Sequence, residues 1–364
     1  MEINKENILK ALSEVQDPDL KKDLVTLGMI QNVMPASDVI SFTVVLTTPA
    51  CPLKELIRKD CEKAIQKHFG DSIKIEIEMT STVTTIREKG PMLPGVKNII
   101  AVSSGKGGVG KSTVAANLAV ALAKSGASVG LIDADIFGPS VPTMFNCEYE
   151  QPGVTQVDGQ NKILPITQYG VKLMSIGFLA PPENAVVWRG PMASSALKQF
   201  LGDTIWGDLD YLLIDLPPGT SDIHLTLVQS VPVTGAIVVT TPQKVALTDA
   251  QKGIQMFMQP QINVPVLGVV ENMAYFTPEE LPNNKYFIFG ENGGKNLAEK
   301  HKVNFLGQIP IVQSIRESGD SGYPAALRDD ASAKSFNDLA QAVAQSIAIR
   351  NAGAEKTKKV EITV

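Results

Sequence analysis

Nine consecutive residues carry the plainest chemistry in this chain: Gly105-Lys106-Gly107-Gly108-Val109-Gly110-Lys111-Ser112-Thr113. They match G-x-x-x-x-G-K-[ST], the loop that cradles nucleoside triphosphates. Glycines let successive backbone N–H groups curl around phosphate oxygens. The N-terminus of the following helix adds unpaired donors and a favourable dipole. Lys111 is placed to reach the β- and γ-phosphates, and Ser112 to ligate Mg²⁺. Two further segments bring acids to strand ends: Leu131-Ile132-Asp133-Ala134-Asp135, and Leu213-Ile214-Asp215 before Leu216-Pro217-Pro218-Gly219. A metal-bridged triphosphate needs such carboxylates to hold Mg²⁺ or its waters and to orient attack. Lys106 adds positive charge where negative charge builds up in phosphoryl transfer. The pattern predicts a Mg·ATP site.

Such a site lies outside the carboxyl ends of strands in an open parallel sheet. The chain from Asn98 onward has the texture of one. Short apolar runs recur at 99–102, 129–132, 211–214, 236–239 and 264–270, with helical patterns between them. Continuous Val/Ile/Leu runs suit strands covered by helices on both faces. In particular, 115–122 is a good helix former directly after the loop.

Residues 1–85 read as a separate small α/β domain. Ile8, Leu12 and Val15 have helical spacing, 39–46 reads as a strand, and Leu53, Leu56, Ile57, Cys61, Ala64, Ile65 and Phe69 form one helical stripe. Residues 73–79 alternate strictly, as a half-buried strand does. Two prolines and two glycines in Gly90-Pro91-Met92-Leu93-Pro94-Gly95 mark 86–97 as a linker. The ATPase domain is expected over 98–350, and 351–364 as a frayed charged tail.

The formal net charge of −5 argues against a nucleic-acid or anionic-membrane partner, since both favour a basic face. No run is long and apolar enough to span a bilayer, and the polar N-terminus lacks a signal-peptide core, so the expected location is the cytoplasm. Three cysteines, Cys51, Cys61 and Cys147, form no disulfide framework, and no C-x-x-C occurs. Cys61 lies on the apolar stripe and reads as core. Cys51 precedes Pro52 where a helix should begin, a position that lowers a thiol's pKa; a buried cap-region cysteine is the other reading.

With Lys106 inside it, the loop takes the form K-G-G-x-G-K-[ST]. Together with Asp133-Ala134-Asp135-Ile136-Phe137-Gly138-Pro139-Ser140, Trp188-Arg189-Gly190-Pro191-Met192, Asp215-Leu216-Pro217-Pro218-Gly219-Thr220-Ser221-Asp222 and Glu271-Asn272-Met273, it resembles the Mrp/ApbC family over residues 95–350. These are P-loop ATPases implicated in iron–sulfur cluster carriage. The front domain is similar to the iron–sulfur-assembly-type domain often fused before bacterial members, through Asp17-Pro18-Asp19 and Leu46-Thr47-Thr48-Pro49-Ala50-Cys51-Pro52. The resemblance implies a MinD/ParA-like α/β fold and a slow ATP hydrolase. It also implies a nucleotide-switched homodimer that delivers [4Fe–4S] clusters, bound transiently, to apoprotein clients alongside iron–sulfur assembly proteins. By the same resemblance Lys106 would cross the dimer to the partner's nucleotide, Asp135 would position the attacking water, Asp133 and Asp215 would serve the Mg²⁺ shell, and Asn272 would contact adenine.

The chain departs from the family after Glu271-Asn272-Met273, where members usually carry C-x-x-C. Two such pairs in a dimer supply the four thiolates of one [4Fe–4S] cluster. Residues 274–282 contain no cysteine, and none follows Cys147 anywhere. Two readings follow: a carrier that holds its cluster with Cys51, or a metal-free ATPase switch or chaperone in cluster assembly. A partitioning or division-site ATPase is a third, disfavoured because the tail 360–364 makes a poor membrane helix.

Overall fold

The computed structural model describes residues 2–36, 38–179, 190–278, 280–281 and 283–360. Trp188, Arg189, Glu279, Pro282 and 361–364 thus lie outside the described residues. The chain divides into two compact units, Met1–Thr84 with Ala344–Ala354, and Thr85–Val343 with Glu355–Val364.

The first unit holds α1 (Lys5–Leu12), β1 (Ile30–Pro35), β2 (Val39–Leu46), α2 (Lys54–Phe69) and β3 (Lys74–Ser81). Its sheet runs β1-β2-β3, with β1 and β2 antiparallel and β2 and β3 parallel. The helical stripes pack mostly where their spacing places them: Ile8 and Leu12 of α1 and Ile57, Cys61 and Ile65 of α2 are buried with Ile40, Phe42 and Val44 of β2, whereas Leu56, assigned to the same stripe, is exposed. Asn4 caps α1 by accepting the Asn7 N–H at 2.9 Å.

The second unit runs β4 (Val96–Ser104), α3 (Lys111–Lys124), β5 (Val129–Asp133), α4 (Val141–Met144), β6 (Gly153–Val157), β7 (Gln160–Leu164), β8 (Ile166–Gln168), β9 (Val171–Ser175) and α5 (Gly190–Gly202). It continues with β10 (Leu209–Asp215), α6 (Asp222–Ser230), β11 (Gly235–Thr240), α7 (Lys244–Met258), β12 (Val266–Glu271), α8 (Gly293–His301), β13 (Phe305–Gln308), α9 (Gln313–Asp320) and α10 (Ala331–Gly353), whose last part counts with the first unit. The main sheet has the order β13-β12-β11-β4-β10-β5-β9-β8. Every pairing is parallel except that of β8 with β9, so the sheet is mixed at one edge.

Each expected apolar run is a strand of this sheet. Consecutive residues such as Ile99, Ile100 and Ala101, or Leu212, Leu213 and Ile214, are all fully buried, which requires cover on both faces. Helices α5 and α6 pack with Ile99, Ala101, Leu212 and Ile214; α3 lies along β4, β5 and β10. Register fixes the acids: Asp215 is the pairing partner of Asp133 on one side and of Val102 on the other. Side chains of parallel register partners share a face, so two carboxylates meet at the sheet's carboxyl end, next to the loop that leaves β4.

Two expectations need correction. The stretch 86–97 is not a loose linker. Arg87 is buried and donates from Nε to Val96 O at 2.8 Å, and from Nη2 to the Leu93 and Val96 carbonyls. Nor does the chain fray at 351. Helix α10 runs to Gly353, Thr357 donates its N–H to Ile86 O at 3.0 Å, and Val360 donates to Val228 O at 3.1 Å. Buried partners distant in sequence override the Pro/Gly and charge signals.

Candidate functional site: the nucleotide loop and its acids

The loop Gly105–Thr113 joins β4 to α3, and its glycines are steric requirements. A Cβ on Gly105 would lie 2.0 Å from the Asp249 carbonyl carbon of α7, where backbone cannot yield. Gly108 and Gly110 have φ of +78° and +77°, the left-handed region that favours glycine. Gly110 is the N-cap of α3 and gives no side-chain cap, which leaves first-turn N–H groups for a ligand. Val109 is buried, and Ser104 Oγ donates to Lys106 O at 3.0 Å. Lys106 is exposed and forms no ion pair among the described residues.

Lys111 is 5% exposed. Its Nζ lies 2.5 Å from Asp215 Oδ1, 3.8 Å from Asp135 Oδ2 and 3.3 Å from Ser112 Oγ. Asp215 is fully buried, and its Oδ2 has no hydrogen-bond partner. Two carboxylates, those of Asp215 and Asp135, therefore face one buried ammonium, and one carboxylate oxygen is unsatisfied. That donor set fits a hard divalent cation such as Mg²⁺, which takes one or two carboxylates plus phosphates and water.

The two strand-end acids have different surroundings. Asp133 was expected in the Mg²⁺ shell. Its Oδ2 accepts from Ser140 N, Val141 N and Ser175 Oγ at 3.1, 3.2 and 3.1 Å, and its Oδ1 accepts from Asp135 N at 3.2 Å. Asp133 thus shapes the loop that carries Asp135. Burial and the adjacent Asp215 charge push its carboxyl above the ordinary aspartate range. Burial also raises Asp135, against the pull of Lys111. Asn272, expected at the adenine, donates from Nδ2 to Val109 O at 2.8 Å and abuts Gly110 in this structure. The neighbouring Glu271 accepts from Gly294 N at the start of α8 and from Gln308 Nε2.

His224 was overlooked, because a single histidine three residues after Ser221 has no diagnostic spacing. It is 1% exposed, and burial lowers its pKa to about 4. Unfolded, it titrates near 6.5, so on acidification the unfolded chain takes the proton first. Stability is complete above that value and falls as pH drops toward 4. Between pH 7.5 and 5 the imidazole should remove about 2 kcal/mol. Urea melts of wild type and His224→Gln at both pH values measure this. Parallel pH dependence of the two proteins would disprove it.

Each thiol is set by its own surroundings. Cys61 is core and Cys147 is buried, donating to Pro142 O; burial pushes both up to about 12. Cys51 is half-buried just before α2. The Leu53 and Lys54 amides act on it, but burial outweighs them and, with Asp17 and Asp19, raises its pKa. Of the two readings of Cys51, this direction agrees with the buried cap-region cysteine and not with the activated thiol. Among the described residues no group of three or more His, Cys, Asp or Glu is arranged to hold a metal, and no helix is long and apolar enough to cross a membrane.

Comparison with known proteins agrees with this geometry. Residues 95–347 match the family described as NUBPL iron-transfer P-loop NTPase, and residues 5–77 match iron–sulfur cluster assembly protein. An iron–sulfur cluster carrier protein of Synechocystis is 48% identical over 94% of this chain and 97% of its own length. The iron–sulfur cluster transfer protein NUBPL of Dictyostelium discoideum is 43% identical over 87% and 98%. Among solved structures, a nucleotide-binding protein from Archaeoglobus fulgidus in complex with ADP superposes with a TM-score of 0.55 at 42% identity, covering 63% of this chain and 88% of that one. The loop, its helix and its acids are those of an ATP-binding and ATP-hydrolysing unit, and the chain belongs to the NUBPL-type iron-transfer P-loop NTPases, as an Mrp/ApbC-type iron–sulfur cluster carrier ATPase with an iron–sulfur assembly domain in front.

Proposed function

We propose that this chain is a homodimeric ATPase switch in iron–sulfur cluster assembly that works through partner proteins and holds no cluster on a C-x-x-C of its own. One observation carries the reading. The segment after Glu271-Asn272-Met273 has no cysteine, and burial raises the pKa of each of the three thiols elsewhere. Cluster ligation needs thiolates.

In this reading the amides of Gly107–Lys111 bind the phosphates and Lys111 moves from Asp215 to the β- and γ-oxygens. Ser112 and Asp215 would hold Mg²⁺, which neutralises charge on those oxygens. Asp135 orients the attacking water, and Asp133 keeps the Asp135 loop in place. Exposed Lys106 reaches the partner's nucleotide and makes ATP the signal for dimer closure. Asn272 fixes the loop's shape.

Direct carriage is the second reading. It is favoured by the names of relatives that match nearly the whole chain. A dimer would then offer two Cys51 thiolates, with a client supplying the remaining ligands. Anaerobic reconstitution of wild type and Cys51→Ala with iron and sulfide separates the two. The switch reading expects a colourless protein that still hydrolyses ATP. Matched bound iron and sulfide with a visible chromophore, lost in Cys51→Ala, would overturn it.

A further inference from the structure

The segment between Asp215 and α6 is stitched to the strand that feeds the nucleotide loop. Leu216 N donates to Val102 O at 3.0 Å, and Gly219 N donates to Ser104 O at 2.8 Å. A third stitch runs through a side chain. His224, in the first turn of α6, turns its ring back beneath the segment. Its Nδ1 accepts the Ser221 N–H at 3.2 Å, with Ser221 Oγ also 3.2 Å away, and its Nε2 lies 3.4 Å from Ser103 Oγ. The N–H arriving at Nδ1 fixes the tautomer: Nε2 carries the proton and donates it to Ser103. Ser103 stands two residues before Gly105, the first residue of the nucleotide loop.

An apolar residue would fill this position beside Phe257 without desolvating a polar ring. What the imidazole adds is one link from the P-loop strand to the start of α6, spanning the segment that follows Asp215. We propose that His224 is a positioning residue for ATP hydrolysis: through Ser103 and Ser221 it sets the distance between the nucleotide loop and the Asp215 segment. Small displacements of groups that orient phosphoryl transfer have large effects on rate, while ground-state binding depends on the loop amides and Lys111. The inference rests on ATP hydrolysis at Lys111 and is independent of how clusters are handled.

The test uses the full-length chain, with phosphate release giving kcat and equilibrium titration giving ATP affinity. His224→Phe keeps the ring and removes both hydrogen bonds. It should lower kcat about tenfold, the effect of one lost hydrogen bond felt in the transition state, with ATP affinity changed less than about threefold. His224→Gln, whose amide can still donate toward Ser103, should recover most of the rate. Ser103→Ala should lower kcat in the same sense, and its effect should not add to that of His224→Phe, because both break one link. Ser103→Ala keeps the test open if the phenylalanine variant does not fold. If the variants keep wild-type kcat, if kcat and affinity fall together, or if the two effects add, the proposal fails. A wild type that hydrolyses no ATP would instead refute the ATPase reading.

Discussion

Replacing Lys111 with alanine should lower kcat by about 10²–10³-fold, as expected when a preorganised group facing the transferring phosphoryl is lost. ATP affinity should fall by roughly 10–100-fold, the equivalent of one charge-assisted contact. The structure adds a second consequence. Lys111 Nζ is the buried counter-ion of Asp215, at 2.5 Å, and also pairs with Asp135, at 3.8 Å. Removing it leaves the Asp215 and Asp135 carboxylates facing no ammonium, and breaking a buried pair from one side costs about 3–5 kcal/mol. The variant should melt earlier as well as turn over more slowly. Lys111→Ala combined with Asp215→Asn separates the two effects, since neutralising the stranded partner restores stability without restoring hydrolysis. Nucleotide affinity that survives Lys111→Ala would show that Gly105–Thr113 is not the phosphate site.

What could be read from the sequence was what depends on neighbours along the chain. The glycines of 105–110 announce a tight loop wherever they occur, and the structure supplies the reasons: the α7 backbone against Gly105 and positive φ at Gly108 and Gly110. The buried strands were legible because they are apolar on both faces. The short strands were not: β13 has four residues, one of them glycine, and β8 has three. Asp133 and Asp215 were rightly placed at strand ends, but their different hydrogen bonding depends on register and on Ser140, Val141 and Ser175 folding over Asp133.

What the sequence left open or hid shares a cause. Cys51 has the local address of an activated thiol, yet its ionisation is set by how much water the fold leaves around it. Residues 351–360 look like a solvated tail until Asn351 donates to Thr84 O and Thr357 meets Arg87. His224 shows nothing until Ser103, 121 positions earlier, is brought beside it. Local rules give element type and loop chemistry; desolvation and long-range pairing belong to the folded chain.

Asp135→Asn should separate hydrolysis from binding more cleanly than any other change. Asp135 lies at the end of the loop that Asp133 holds, its side chain 17% exposed and its Oδ2 3.8 Å from Lys111 Nζ. Solvent reaches it, as a group that orients water requires. As the amide it loses one lone-pair-bearing oxygen and its charge, so kcat should drop by about 10²–10⁴-fold. ATP should bind as tightly or more tightly, because a negative charge beside the triphosphate has gone. Acid sensitivity should follow the same group. Burial raises the Asp135 carboxyl above its ordinary value of 3.8, and only the ionised form accepts a proton from water. Wild-type kcat should therefore be lost as pH falls through a midpoint above that value, while the residual activity of the variant should lack that limb. If the variant instead lost affinity in proportion to kcat, Asp135 would be a nucleotide ligand and not the residue that orients water. The attacking water would then have to be held by Asp215, whose buried Oδ2 has no hydrogen-bond partner.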